Sequence, residues 1–210
     1  SRSPYTLISA PTGYGKTDLL QHLIRTIESD EILGQRWCAR YASVDSQASD
    51  QIVDLTQAIT RSPGFDATSD LVCNYVIQEL GIPLPDGRRA VLLAFDGVEQ
   101  LTEEASQWLC ALLHTLHKRT RLGYQEIITV RVIIAGRDTE SFWENYEQAY
   151  PKPPAPQRIS LSPFDVYTIQ ELIWKRARTA RIDLDAQTVA RIADEGQYLS
   201  GGHPAVLHSL

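Results

Sequence analysis

The residues Ala10-Pro11-Thr12-Gly13-Tyr14-Gly15-Lys16-Thr17 follow directly on the apolar run Tyr5-Thr6-Leu7-Ile8-Ser9. Glycines at 13 and 15 let successive backbone N–H groups turn inward around an anion, and a lysine at 16 can reach the outer phosphates of a nucleoside triphosphate. Thr17 is the expected hydroxyl ligand of a Mg²⁺ ion that travels with those phosphates. The next stretch carries Leu19, Leu20, Leu23, Ile24 and Ile27 on one helical face. Its helix would point a positive dipole end and unpaired N–H groups at the same anion. Pro11, Thr12, Gly13, Tyr14, Gly15, Lys16, Thr17 and Asp18 are therefore the candidate phosphate-binding residues. Ala10 stands where the usual pattern opens with glycine, so the turn must be made without a positive φ there.

A second constellation begins at Arg88-Arg89-Ala90-Val91-Leu92-Leu93-Ala94-Phe95-Asp96, an apolar strand ending in an acid about eighty residues after the loop. Asp96 at such a strand end would organise Mg²⁺ opposite Thr17, through water. Ligands of open α/β sheets gather at that end of the strands. Glu99, three residues on, either orients the attacking water or is a solvated loop acid before a helix capped by Thr102. The run Ile133-Ile134-Ala135-Gly136-Arg137-Asp138 puts Arg137 at the mouth of the sheet. There it either senses the terminal phosphate through a charge-assisted hydrogen bond or pairs with Asp138 or Glu140. Asp45, which ends the second apolar run, is read as a turn residue rather than a catalytic acid.

Strand-type runs recur at Tyr5 to Ala10, Trp37 to Val44, Ala90 to Phe95, Ile127 to Ala135 and Arg158 to Leu161. Helical spacing lies between them, at Leu19 to Ile27, at Ile52, Leu55 and Ile59, at Leu71, Val72, Tyr75, Val76 and Leu80, and at Trp108, Leu109, Leu112, Leu113 and Leu116. Strands alternating with helices predict a parallel sheet covered on both faces. Turns are expected at Ser62-Pro63-Gly64 and from Ile82 to Gly87, and a stiff connector at Pro151-Lys152-Pro153-Pro154-Ala155-Pro156. From Ser162 the pattern becomes helical only. Ser162-Pro163-Phe164-Asp165 reads as a helix cap followed by a first-turn proline and acid. The expected division is residues 1–161 as an α/β nucleotide-binding domain and 162–210 as a helical lid subdomain.

The 210 residues suffice for one ordinary core with a small appendage. No apolar run approaches the roughly 18 to 20 residues of a membrane span, so no membrane partner and a cytoplasmic setting are expected. Three cysteines, Cys38, Cys73 and Cys110, lack metal-binding spacing and read as reduced core residues. A net charge of −6 gives no global attraction to nucleic acid. The basic stretches His117 to Arg121 and Lys175 to Arg178 read as solvated helix ends. The chain has no methionine and stops within a rising apolar pattern at Val206 to Leu210, so it reads as part of a longer protein.

Together these segments resemble the STAND branch of P-loop ATPases, the signalling relatives of AAA+ proteins that include NACHT domains. Ser9 to Thr17 looks like the phosphate loop of bacterial STAND regulators. Phe95-Asp96-Gly97-Val98-Glu99-Gln100-Leu101 is similar to the NACHT form of Walker B, and Ala135-Gly136-Arg137 to the family's sensor 1 strand end. Ser200-Gly201-Gly202-His203-Pro204 resembles the Gly-x-Pro motif of the helical lid, which makes Pro204, and with it His203, cofactor contacts by that match. The resemblance implies a five-stranded parallel sheet in the order 5-1-4-3-2 with helices on both faces. It implies ATP or ADP with Mg²⁺ as ligands, slow hydrolysis, and self-association controlled by the bound nucleotide. The family's winged-helix domain, effector and sensor regions are not in this sequence.

Three other functions compete with that reading. One is a mechanical AAA+ ATPase whose basic segments touch nucleic acid. Another is a P-loop small-molecule kinase, against which stands the use of about fifty final residues on helices rather than on an arginine-rich lid. The third is a binding module that no longer hydrolyses. No guanine-reading Asn-Lys-x-Asp is present, which favours adenine as the base.

Overall fold

The computed structural model describes residues 3–81, 89–122, 128–150, 152–204 and 207. The turn expected from Ile82 to Gly87, together with Arg88, Ile127, Pro151, Val206 and His208 to Leu210, lies outside the described residues, as does the side chain of Arg121. The chain forms two compact units, Ser1–Ser9 with Lys16–Ser160, and Ala10–Gly15 with Leu161–Leu210.

The first unit is built on five parallel strands: β1 (Tyr5–Ser9), β2 (Trp37–Ser43), β3 (Arg89–Asp96), β4 (Ile128–Gly136) and β5 (Gln157–Ser160). Their order is β2-β3-β4-β1-β5, which is the expected 5-1-4-3-2 viewed from the other edge. The helices are α1 (Lys16–Ser29), α2 (Glu31–Arg36), α3 (Gln51–Thr60), α4 (Ser69–Tyr75), α5 (Glu103–Leu122) and α6 (Thr139–Ala149). A π-helical turn continues α4 over Val76–Leu80, and a 3-10 turn spans Val98–Gln100.

Strand alternation distributes the core over the two faces. Leu7, Val91, Leu93, Phe95, Val132 and Ile134 join one cluster with Leu55 and Ile59 of α3, Val72 of α4, Leu109, Leu112 and Leu113 of α5, and Phe142, Trp143 and Tyr146 of α6. Ile8, Ala39, Leu92 and Ala94, one residue out of phase, are buried on the other face, as are Leu20, Ile24 and Ile27 of α1. The central strands are thus apolar at nearly every position, as burial on both faces requires. Two helices go beyond the expected set. α6 has a readable stripe at Phe142, Trp143 and Tyr146, whereas α2 buries none of its residues and so carries no amphipathic signal.

The second unit contains α7 (Val166–Ala180) and α8 (Ala186–Ser200), whose buried residues are Ile169, Ala177, Val189 and Ala193. The cap of α7 is Asp165, whose carboxylate accepts from the backbone N–H of Thr168 at 2.7 Å, and not Ser162 as the sequence pattern suggested. A competent acceptor nearer the apolar stripe takes the role, because capping is decided by whichever side chain reaches the unpaired N–H groups. Gly201 ends α8 in the left-handed region at φ 59°. Gly202 (φ 78°) comes so close to the Phe164 carbonyl that no side chain fits, and its own carbonyl accepts from Phe164 N–H at 2.8 Å. Among the described residues no helix is long and apolar enough to cross a membrane.

Candidate functional site

Strand register assembles the first constellation. Ser43 lies opposite Asp96 across β2 and β3, and Asp96 opposite Ala135 across β3 and β4, so Asp96 sits at the carboxyl edge of the sheet. Beyond it, Gly97 takes φ 79° and donates its N–H to the Ala135 carbonyl at 2.9 Å, which turns the chain sharply toward β4. Gln51, nearly buried at the start of α3, holds the rest of this turn. Its amide nitrogen donates to the Gln100 carbonyl at 2.9 Å, and its amide oxygen accepts from Thr102 N–H at 2.7 Å.

Thr17, in the first turn of α1, donates its hydroxyl to Asp96 Oδ2 at 2.6 Å. The hydroxyl in the first turn of α1 and the strand-end acid therefore meet. Asp96 is only 5% exposed. Tyr41 of β2 donates to the same carboxylate oxygen at 3.0 Å. Lys16 is 9% exposed. Burial holds its ammonium below the ordinary lysine value, opposed by the carboxylates of Glu99 and Asp96 and reinforced by Arg137. All four candidate catalytic residues, Lys16, Asp96, Glu99 and Arg137, are thus electrostatically coupled in one place.

Glu99 is not a solvated loop acid. Its Oε1 accepts from Arg137 Nε at 3.0 Å and its Oε2 from the Arg137 backbone N–H at 3.1 Å. The Glu99 side chain is 14% exposed. Gly136 makes this possible, since a Cβ there would collide with Glu99 Oε2. Arg137 consequently pairs with neither Asp138 nor Glu140. Asp138 caps α6 through Ser141 N–H at 3.0 Å, and Glu140 forms a two-pronged pair with Arg158 at 2.8 and 3.0 Å. Asp45 accepts from Gln47 N–H at 2.8 Å, the local bond of a turn residue.

The loop itself has Gly13 and Gly15 at φ 81° and 78°, conformations that glycine adopts without strain, whereas Ala10 is buried and has no positive φ. Within the second unit, His203 Nε2 lies 3.1 Å from the Thr12 carbonyl oxygen, and the rings of Tyr14 and His203 meet edge to face at 4.8 Å. A carbonyl only accepts, so Nε2 carries the proton. In the neutral ring, Nδ1 is then an acceptor, and it is buried without a hydrogen-bond partner among the described residues. Pro204 opens the next helical turn, one residue beyond the histidine that holds the loop. Asp18 is exposed in the first turn of α1, where an acid favours the helix dipole.

The donor set fits Mg²⁺. A hydroxyl and a carboxylate, both hard oxygens, converge within hydrogen-bonding distance, and a magnesium ion bound with phosphates needs few protein ligands. Among the described residues no cluster of three or more His, Cys, Asp or Glu would hold a metal by itself. Thr17 and Asp96 would hold the ion, which would supply charge neutralisation for the phosphates. Tyr41 and Gln51 were not legible as site residues. Both act across strands or turns far from the motif, and neither residue type marks a motif.

No protein-family model matches the chain, and no curated protein matches it. Solved structures do. The ADP form of the ORC2 protein of Aeropyrum pernix is similar at a TM-score of 0.64 and 14% identity, covering 99% of this chain and 55% of that one. A Walker-type ATPase of Pyrococcus abyssi is similar at a TM-score of 0.55 and 14% identity, over 98% of this chain and 61% of that one. The ORC1 protein of Aeropyrum pernix in complex with DNA gives a TM-score of 0.60 at 14% identity, over 99% of this chain and 51% of that one. This chain therefore spans between about half and three-fifths of the length of those structures. Its fold is that of the P-loop ATPases of AAA+ type.

Proposed function

We propose that this chain is the nucleotide-binding core of a STAND-type signalling ATPase, which binds ATP or ADP with Mg²⁺, hydrolyses ATP slowly and uses the bound nucleotide to control self-association. Residues 1–161 act as the nucleotide-binding domain and 162–210 as its helical lid subdomain. The observation that carries the binding reading is the 2.6 Å bond between Thr17 and Asp96 beside a buried Lys16. Those are the hydroxyl, acid and cation that a magnesium triphosphate needs.

Lys16 and the backbone N–H groups of the loop hold the β- and γ-phosphates, and Thr17 and Asp96 hold the metal. Glu99 orients water for attack on the γ-phosphorus, whose bond to the β–γ bridging oxygen breaks as ADP leaves with the electron pair. The Glu99–Arg137 pair is the resting arrangement. A γ-phosphate competes for the Arg137 guanidinium and frees Glu99 to accept from water. His203 and Pro204 contact the nucleotide by their match to the lid motif.

The test is to denature freshly purified protein and identify the released nucleotide by ion-exchange chromatography, with Lys16→Ala as control. Near-stoichiometric ADP in the parent and none in Lys16→Ala is the expected result. A Lys16→Ala variant that binds nucleotide like the parent in calorimetry overturns the assignment.

A second reading, a mechanical AAA+ ATPase acting on nucleic acid, is favoured by the similarity to an ORC1 structure solved with DNA. Under it, duplex DNA binds with an affinity that falls steeply as salt rises. The signalling reading expects no DNA shift even at low salt, consistent with the net charge of −6.

A further inference from the structure

Tyr41 lies outside every motif, yet its hydroxyl reaches the acid on which the metal site depends. The register places Ser43 opposite Asp96, and Tyr41 two residues earlier on the same strand face. That step is about 6.6 Å along the strand. Only a long side chain covers it, and among the aromatic residues that pack well on a sheet, tyrosine alone ends in a hydroxyl. The phenol is half-buried, and its hydroxyl donates to Asp96 Oδ2 at 3.0 Å.

Thr17 and Tyr41 both donate to Asp96 Oδ2, at 2.6 and 3.0 Å, but their duties differ. Thr17 belongs to the helix that follows the loop, and its oxygen would be a metal ligand. Tyr41 belongs to the sheet and is not among the residues that would hold the ion. We infer that Tyr41 is a positioning residue that holds the Asp96 carboxylate in place for Mg²⁺, so that the acid keeps its orientation while Thr17 turns to the cation. This inference rests on the magnesium–nucleotide reading of the site.

Tyr41→Phe removes one oxygen and keeps the ring. With a fluorescent ADP analogue, the variant should bind in EDTA as the parent does and unfold at the parent's temperature. Its half-saturating Mg²⁺ concentration should rise roughly 10- to 100-fold, as the loss of a hydrogen bond to a charged acceptor implies. In an Asp96→Asn background the same substitution should change the midpoint no further, because its effect passes through that carboxylate. An unchanged Mg²⁺ midpoint in Tyr41→Phe, with the parent plainly Mg²⁺-dependent, overturns the role of Tyr41 and leaves the nucleotide reading intact. A parent whose ADP binding ignores Mg²⁺ overturns the metal reading itself, and Tyr41's role with it.

Discussion

Glu99 carries the sharpest residue-scale argument, because its environment depends on a missing atom. Gly136 lets the carboxylate approach the backbone of β4, where the Arg137 N–H and Nε both reach it. Gly136→Ala should overpack this contact and cost roughly 1–3 kcal/mol in a urea titration. Glu99→Ala introduced alongside should return part of that loss, because it deletes the group with which the new methyl collides. Additive losses would mean that the two residues do not share a contact. Cys110 offers a second check. It is 3% exposed, and burial pushes its thiol up to about 11. Iodoacetamide at pH 8 should leave it unmodified in the folded protein and alkylate it in urea, since the thiolate is the reactive form.

At the scale of elements, α6 shows how much of the fold a helix face anchors. Trp143 and Tyr146 are about 1% exposed, and the Tyr5 hydroxyl donates to the Leu113 carbonyl at 3.1 Å beside them. The Tyr5 ring meets those of Trp143 and Tyr146 at 5.2 and 6.0 Å. Trp143→Ala should destabilise the fold by about 3–5 kcal/mol, measured by chemical denaturation. Helix starts at Asp138, Asp165 and Asp185 share one signature, a capping carboxylate whose pKa is lowered by its own side-chain and backbone hydrogen bonds. A carboxyl depressed in the folded state contributes fully above its unfolded value of about 3.9 and loses that contribution as pH falls through the lower folded value. The melting temperature should therefore fall as pH drops below about 4, and Asp185→Asn should flatten that limb. An acid limb unchanged in Asp185→Asn would remove this cap from the account. The cap of α7 at Asp165 rather than Ser162 belongs here too, since two capping residues three positions apart both fit the sequence pattern.

For the molecule as a whole, ligand linkage gives the broadest test. A ligand bound only by the folded state at 100 times its Kd adds about 2.7 kcal/mol of stability. For a chain of this length that is a rise in Tm of roughly 5–10 °C. MgADP should produce such a rise in the parent and none in Lys16→Ala, read by differential scanning fluorimetry. An ORC1 protein solved in complex with DNA has a similar fold, so the experiment that separates signalling from mechanical work is the salt dependence of DNA binding.

The loop from Ala10 to Thr17, the five strand runs and the acid at the end of the third were legible without coordinates. Each is a local pattern, in which residue types a few positions apart state what the backbone between them must do. Even the buried stripe of α6 was there to be found, at Phe142, Trp143 and Tyr146. The partners of the site residues were of another kind. Nothing near Arg137 in the sequence points to Glu99, 38 positions away, in preference to the adjacent Asp138 or the nearby Glu140. Nothing marks Tyr41 as a donor to an acid 55 positions along. Those pairings follow from which strands are neighbours and in what register, Ser43 against Asp96 and Asp96 against Ala135. Local periodicity tells a segment to be a strand, but only packing of the whole sheet selects the strand beside it.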